Sequence, residues 1–304
     1  MKGKCQHCRL LTCFEVGMRK DHLITREKKL DKQQRIEINR RIQMKIQEEI
    51  LTENDRICLN HIRTSYQQAI ESVEPAHKLH SVEPSINKTY SFNDLLECDQ
   101  YFPFRFIHFL RSIPEFESLD PADRVSLFKY NYLAISPLRD VLNYDSQRDL
   151  FFDDNRSTPI SVLDEKYAQI CTNLFILFCG YDYHQSYTSH VRTFFQKINQ
   201  NPLIIQILLL VVFFLKGAAI YHDQIYTLID SQRVFAAHVK YVELLYRYLL
   251  DEYSSNVAPI KMLEIIQYIL HLQNDSYIYK ENIHQQSYRH EMNPLLKSIF
   301  HLHE

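Results

Sequence analysis

Apolar residues recur every three to four positions through most of the chain, a spacing that places them on one face of an α-helix. From residue 161 onward, the pattern predicts a series of helices. We place them at 162–180, 186–199, 202–216, 223–251, 256–283 and 294–301. The chain has 304 residues but only 4 glycines. Since tight turns between strands favour glycine, we expect few strands.

The first half of the chain shows the helical pattern with clearer breaks. Thr52 with acidic residues close behind it is typical of a helix start, and it puts Ile57, Ile62 and Tyr66 on roughly one face. Asp120-Pro121 is typical of a second helix start. The other elements are predicted as a loop at 72–93, a helix at 94–117 and a short hairpin at 147–160.

Residues 203–215 are apolar at almost every position (L-I-I-Q-I-L-L-L-V-V-F-F-L), and Lys216 follows them. A helix needs about 20 apolar residues to cross a bilayer, so this segment is too short. It predicts instead a helix that is buried on every side. Such a helix needs neighbours on both faces, which indicates a helical sandwich at least three helices deep.

Charge is distributed unevenly along the chain. Residues 1–48 hold 13 of the 35 Lys and Arg residues but only 6 of the 37 Asp and Glu residues. A basic arm joined to an acidic body suggests a polyanionic partner for the arm, with a solvated charged helix as the alternative. The 7 cysteines are irregularly spaced and no signal peptide precedes them, which favours a reducing compartment, the cytosol or the nucleus.

Three separated segments carry motifs. Residues 5–18 read C-Q-H-C-R-L-L-T-C-F-E-V-G-M, and residues 109–129 read F-L-R-S-I-P-E-F-E-S-L-D-P-A-D-R-V-S-L-F-K. Residues 292–300 read M-N-P-L-L-K-S-I-F. In this order the motifs resemble the end of the nuclear-receptor DNA-binding domain, the signature of the ligand-binding domain and the C-terminal activation helix. The linker and K-M-L-E at 261–264 are most similar to the vitamin D and xenobiotic receptor branch.

The resemblance implies a fold, a division of the chain and a function. The expected fold is all-α, a three-layer antiparallel helical sandwich with one short hairpin and a cavity at one end. Residues 1–20 would be a truncated remnant of the second zinc module, 21–48 a basic hinge and 49–304 the ligand-binding domain. The implied function is that of a transcription factor in the nucleus, regulated by a small lipophilic ligand and not associated with membranes.

An enzyme is the main alternative class. His184, His190 and His222 are conceivable metal ligands, but they lie on different predicted segments. The chain contains no H-E-x-x-H, no G-x-S-x-G and no phosphate-binding loop. We therefore expect no catalytic residues.

In the opening motif, Cys5 and Cys8 match the last two zinc ligands of the family's second zinc module, and Arg9 matches a position that contacts DNA phosphate. A structural zinc needs four protein ligands, and such modules are unfolded without the metal. The resemblance therefore implies zinc and DNA binding in the complete protein, whereas this chain alone is expected to bind no zinc stably. We expect the chain to be part of a longer receptor, with a receptor that lacks the DNA-binding domain as the alternative.

The resemblance also implies a ligand pocket, with apolar walls from the helix at 94–117 and a few polar anchors. A purely structural role is the alternative for each residue, since phenylalanines fill cores and hydroxyl groups are often satisfied locally. The candidate pocket residues are Phe102, Phe106, Phe109, Ser136, Arg139, Tyr268 and Ser276.

The output surface of the family is a groove that binds an L-x-x-L-L helix of a coactivator. A basic residue on the third helix binds the carbonyl end of that helix, and a Glu on the last helix binds its amide end. Arg111 stands at the first position and Ser298 at the second. Because a hydroxyl brings no charge, we expect weaker docking than in a Glu-bearing relative. The residues assigned to the groove are Arg111, Arg124, Lys129, Leu295, Leu296, Ser298, Ile299 and Phe300.

Two further expectations concern partners and internal bracing. The helix at 256–283 would carry a dimer face for a second copy or for a retinoid-X-type receptor. Ala134 stands where the family often has Glu, and F-L-K-G-A-A at 214–219 replaces S-x-D-R-P-G, so buried polar contacts are expected to be rearranged. A ligand-independent dimer partner that represses by titration is the alternative function for the same fold.

Overall fold

The structure, a computed structural model, describes residues 5–18, 29, 32–38, 50–72, 101–154, 156, 158–216, 227–285 and 294–300. The chain divides into two compact units, residues 1–50 and 51–304. In the first unit, helix α1 spans Gln6–Glu15 with none of its residues buried, and residues 32–38 are also helical. Most of the predicted hinge at 21–48, the loop at 72–93 and His222 lie outside the described residues.

Helices make up nearly all of the described part of the second unit. They are α2 (Glu53–Glu71), α3 (Tyr101–Arg111), α4 (Pro114–Glu117), α5 (Pro121–Asn143), α6 (Val162–Cys179), α7 (Tyr181–Lys197), α8 (Pro202–Phe213), α9 (Ser231–Glu252), α10 (Ala258–Gln285) and α11 (Pro294–Ile299). Strands β1 (Tyr144–Asp145) and β2 (Leu150–Phe151) pair antiparallel, with Tyr144 opposite Phe151. The predicted all-α fold with one short hairpin is confirmed.

Local hydrogen bonds explain where several helices begin. At the start of α2, the hydroxyl of Thr52 accepts the Asp55 N–H, and the Asp55 carboxylate accepts the Thr52 N–H, which is a capping box. Ser161 and Asp164 form the same arrangement at the start of α6. The Asp120 side chain accepts the N–H of Ala122 ahead of Pro121, as the sequence predicts for α5.

The buried face of α2 differs in one residue from the predicted face. Ile62 and Tyr66 are buried, but Ile57 is 59% exposed. Leu59 lies one turn before Ile62 and is 6% exposed, so it takes the place expected for Ile57. A spacing of five residues from Ile57 to Ile62 turns the two side chains to different sides of a helix.

The helix predicted at 94–117 is two helices in its described part. Helix α3 ends at Arg111, and α4 begins at Pro114. Ile113 has an extended backbone, with φ −89° and ψ 116°. A residue that precedes proline is disfavoured in the helical region because the proline ring clashes with it. Pro114 therefore breaks the helix.

Two other boundaries also differ from the predictions. The strands of the hairpin lie at 144–145 and 150–151, before most of the predicted range, because the Asp145 carboxylate accepts the N–H groups of Gln147 and Arg148 and closes the turn there. Helix α9 begins at Ser231 rather than at residue 223, with Asp230 accepting the Arg233 N–H as its cap.

Helix α8 is the centre of the fold. Every residue of this helix after Pro202 is buried. The helix packs against α5, α9 and α2, and the ring of Phe213 contacts those of Phe106 and Phe116 at centroid distances of 5.9 and 5.6 Å. The 203–215 pattern predicts an almost entirely apolar helix with neighbours on several sides. The contacts of α8 agree with this prediction and account for the layered packing.

Candidate functional site

The C-terminal helix α11 packs on α5 and contributes to the core. Leu296, Ile299 and Phe300 are 3%, 1% and 4% exposed. The Phe300 ring meets the Tyr279 ring of α10 edge-on at 5.8 Å, and its carbonyl oxygen lies 2.8 Å from Nε2 of His284. The tail is therefore an integral helix of the fold, held by its apolar face.

Three predicted groove residues remain at the surface of the described chain. Arg111 is exposed at the end of α3, Ser298 is exposed on α11, and Lys129 is half-buried on α5. Val125 lies one turn before Lys129 on the same face of α5 and is 67% exposed. Helices α5 and α11 therefore carry an exposed apolar position, a cation and a hydroxyl, while Leu295 is half-buried.

Arg124 forms contacts within its own turn. Its guanidinium donates to the carbonyl oxygens of Leu119 (3.0 Å) and Glu117 (2.5 Å), and it lies 3.1 Å from the Glu117 carboxylate. It also lies over the Phe116 ring at 5.3 Å. These contacts stabilise the connection between α4 and α5. The Arg124 guanidinium is therefore bound to groups of the chain itself.

A cavity of about 110 Å³ lies among α5, the hairpin, α6, α7 and α10. Of the seven candidate pocket residues, Ser136, Arg139 and Ser276 line it. The other lining residues are Leu133, Pro137, Asp140, Phe151, Phe152, Asp153, Tyr167, Cys171, Thr172, Phe175, Tyr183, His184, Tyr187 and Tyr279.

The other four candidate pocket residues lie outside this lining. Phe102, Phe106 and Phe109 are 2%, 1% and 0% exposed and fill the core around α8. Phe102 contacts one residue of the lining, because the Arg139 guanidinium lies over the Phe102 ring at 5.4 Å. Tyr268 stacks on Phe194 with ring centroids 5.2 Å apart, between α7 and α10.

A network of charged side chains forms one wall of the cavity. Arg139 Nε donates to Asp154 (3.0 Å), and its Nη1 and Nη2 lie 3.3 and 3.7 Å from Asp140 and Asp153. Arg105 binds both oxygens of Asp153 at 2.5 and 3.0 Å. Such buried ions are tolerable only when each is paired. Arg139 is thus bound to carboxylates of the chain itself.

Helix α7 supplies three lining residues that the pocket prediction missed. The Tyr183 hydroxyl donates to the Asp275 carbonyl oxygen (2.6 Å), and the Tyr187 hydroxyl donates to Asp140 (2.5 Å). Burial raises the pKa of both phenols. Burial lowers the pKa of His184, against the opposing charge of Asp149. The sequence offered one signal for these residues, because the spacing of 183, 184 and 187 places them on one face of a helix.

His190, one of the residues named for the metalloenzyme alternative, has a structural partner. His190 Nδ1 is 2.7 Å from Asp275 Oδ2, and its ring stacks on His271 at 5.3 Å, which ties α7 to α10. Burial raises the pKa of Asp275, while the contact with His190 opposes this shift. In the described part of the chain, no group of three or more His, Cys, Asp or Glu residues is arranged to hold a metal.

Cys5 and Cys8 lie together at the start of α1. Their sulfur atoms are 3.3 Å apart, and Cys5 Sγ accepts the N–H of Cys8 at 3.4 Å. This backbone hydrogen bond is the main reason that the pKa of Cys5 is lowered. Arg9 follows and is exposed. The two thiols are two ligands short of the four that a structural zinc takes.

Comparison with known proteins finds nuclear receptors. The chain is 26% identical to retinoic acid receptor alpha of Takifugu rubripes over 153 residues, which cover 49% of this chain and 33% of that receptor. It is 28% identical to nuclear receptor subfamily 1 group I member 3 of Homo sapiens over 136 residues, covering 41% and 38%. It is 34% identical to nuclear hormone receptor family member nhr-48 of Caenorhabditis elegans over 76 residues, covering 25% and 9%.

The alignments thus span at most 38% of the length of these relatives. No protein-family model matches the chain. Among the helices of the described residues, none combines the length and the hydrophobicity required to cross a membrane.

Proposed function

We propose that this chain carries the ligand-binding domain of a nuclear receptor, a transcription factor of the nucleus. In this proposal the cavity among α5, α6, α7 and α10 takes a small lipophilic ligand. The ligand controls how firmly α11 lies on α5, and α5 and α11 together bind a coactivator helix of the form L-x-x-L-L. The similarity to nuclear receptors and the packing of α11 on α5 support the proposal.

The packing of α11 is the observation that carries this proposal. A peptide helix leaves unpaired carbonyl groups at one end and unpaired N–H groups at the other. Lys129 and Arg111 are cations suited to the carbonyl end, and Val125 offers an apolar position beside Lys129. Ser298 offers one neutral hydrogen bond for the amide end.

The test is the affinity of a fluorescent L-x-x-L-L peptide for Ser298→Glu and for the unchanged chain, measured by anisotropy. A charged hydrogen bond contributes about 1.5–3 kcal/mol against about 1 for a neutral one, so the variant is expected to bind roughly two- to thirtyfold more tightly. Ser186→Glu is the matched control, since it makes the same substitution at an exposed position of α7, away from the proposed groove. Equal affinity of Ser298→Glu and the unchanged chain would contradict the proposed docking.

Zinc and DNA binding, through Cys5, Cys8 and Arg9, are proposed for a longer form of the protein. Pairing with a second copy or with a retinoid-X-type receptor is proposed for α10, which exposes Ile260, Leu263 and Leu270 at 57%, 68% and 56%. Sedimentation of the chain alone and with a retinoid-X-type partner tests this second point. A chain that stays monomeric in both experiments would contradict it.

A further inference from the structure

The charged groups in the wall of the cavity are one guanidinium and two carboxylates. They belong to Arg139, Asp140 and Asp153. All three groups of the Arg139 guanidinium already face carboxylates, including that of Asp154 behind the wall. Arg156 lies outside the lining, with its guanidinium over the Phe152 ring at 5.8 Å. The wall therefore has an excess of negative charge and offers no cation that is free of a carboxylate.

Several lining hydroxyls already donate to groups of the protein. Ser276 donates to the Leu272 carbonyl oxygen at 2.8 Å, and Tyr183 and Tyr187 donate to Asp275 and Asp140. These groups hold the helices together. Because their protons are already donated, these hydroxyls can mainly accept hydrogen bonds from a bound molecule, and they do so from crowded positions.

His184 differs from these residues. Its side chain lines the cavity and is 7% exposed, and its Nδ1 atom has no hydrogen-bond partner among the described residues. Burial lowers the pKa of the imidazole, so the ring is neutral at pH 7. A neutral imidazole offers one donor and one acceptor. A buried polar group without a partner is costly, which favours a ligand that supplies one.

We propose that the cavity selects an uncharged lipophilic ligand with a single hydrogen-bonding group, such as a hydroxyl, that pairs with His184, and that it discriminates against carboxylates. The inference rests on the proposed function, because it concerns the ligand of the same cavity. A carboxylate in this site would lose its hydration beside Asp140 and Asp153 without gaining an unpaired cation. A hydroxyl has no charge to desolvate, and it can donate to Nδ1 or accept from it, depending on which nitrogen of the ring carries the proton.

The size of the cavity determines the probes. At about 110 Å³ it is comparable with an engineered cavity of about 150 Å³ that holds benzene. The probes are therefore kept close to benzene in size: benzyl alcohol, benzoate and toluene. They share the ring and differ in the group attached to it.

The test is isothermal titration calorimetry of the full chain with each probe at pH 7.4. The alcohol is expected to bind at least about tenfold more tightly than the carboxylate, which corresponds to about 1.4 kcal/mol. It is also expected to bind several-fold more tightly than toluene. A carboxylate that binds as tightly as the alcohol would overturn the inference and leave the proposed function intact. Absence of a heat of binding with all three probes would contradict the cavity as a ligand site and, with it, the proposed function.

Variants identify the residues responsible. His184→Leu is expected to remove the advantage of the alcohol over toluene, because the hydroxyl then has no partner at that position. Asp140→Asn removes one negative charge from the wall and is expected to raise the affinity for benzoate about tenfold. Asp182→Asn makes the same change at an exposed position of α7 and is expected to have no effect. Unchanged selectivity in both His184→Leu and Asp140→Asn, with native circular dichroism, would overturn the inference.

Discussion

Single polar residues hold the central helices of this fold in place. Asn131 of α5 is 0% exposed, and its Nδ2 donates to the carbonyl oxygens of Phe213 (2.7 Å) and Leu215 (3.0 Å) at the end of α8. The Asp123 carboxylate accepts the N–H groups of Ile229 (2.8 Å) and Asp230 (2.9 Å) before α9. Both residues satisfy backbone groups that a helix end leaves unpaired.

Asn131→Leu tests this bracing. The change keeps the size of the side chain but removes both hydrogen bonds to the end of α8. We expect the free energy of unfolding to fall by about 1–3 kcal/mol, measured by urea denaturation at pH 7. Asn60→Leu on the exposed face of α2 is the control, and its effect is expected to stay within about 0.5 kcal/mol. Equal stability of the two variants would show that the Asn131 contacts do not brace the fold.

Glu115 gives a prediction about pH. Its carboxylate accepts the Tyr241 hydroxyl at 2.6 Å and pairs with the Lys240 ammonium. Burial by itself raises the pKa of Glu115, but the hydrogen bonds from Lys240 and Tyr241 outweigh it, so the pKa lies below its ordinary value of 4.5. The stabilisation is therefore present above about pH 4.5, and it is lost as the pH falls through the lower pKa of the folded state.

We therefore expect Glu115→Gln to lower the free energy of unfolding by about 1 kcal/mol at pH 7 and by progressively less as the pH falls below 4.5. Urea denaturation across this range measures the difference. Glu243→Gln, on the exposed face of α9, is the control. A cost of Glu115→Gln that is the same at every pH would contradict the assignment of the effect to the charge.

At the scale of elements, the described helices that the sequence predicts most closely are those whose signals are local. The apolar run of α8 and the capping residues of α2, α5 and α6 are read directly from neighbouring positions. The start of α9 depends also on Asp123, more than 100 residues earlier, so no local pattern places it. The break between α3 and α4 has a local cause, Pro114, but the helical spacing of the apolar residues continues across it and predicts one helix.

Some lining residues of the cavity could be predicted from the sequence, whereas others depend on how distant helices pack. Ser136, Arg139 and Ser276 are named from the sequence and line it, because the resemblance assigns their helices. Tyr183, His184 and Tyr187 line it because of how α7 lies against α10, and the sequence of α7 alone does not specify its neighbours. Candidate Tyr268 lies on α10 and stacks on Phe194 of α7, outside the lining of the cavity.

Helix α11 has a testable role as an element. It has six residues, too few for stable helix formation by itself, so its order depends on the apolar contacts of its buried face. Ile299→Ala removes a side chain that is 1% exposed and is expected to increase hydrogen–deuterium exchange in residues 294–300 with little change elsewhere. Ser298→Ala, at an exposed position, is expected to leave the exchange unchanged. Equal exchange in the two variants would contradict docking through this face.

At the scale of the whole molecule, residues 51–304 form a unit with its own core, whereas α1 in the first unit buries no residue. We therefore expect the second unit to fold by itself. We expect a chain of residues 51–304 to unfold at a temperature within about 2 °C of the full chain, measured by the ellipticity at 222 nm. A large fall in the unfolding temperature would mean that residues 1–50 contribute to the core.

The proposed function requires the end of α3, α5 and α11 to form one surface for a coactivator helix. Hydrogen–deuterium exchange of the full chain, with and without a saturating L-x-x-L-L peptide, locates that surface directly. The account predicts new protection at the end of α3, in the first half of α5 around Val125 and Lys129, and in residues 294–300. Protection confined to other helices, or no protection at a concentration that saturates binding, would contradict it.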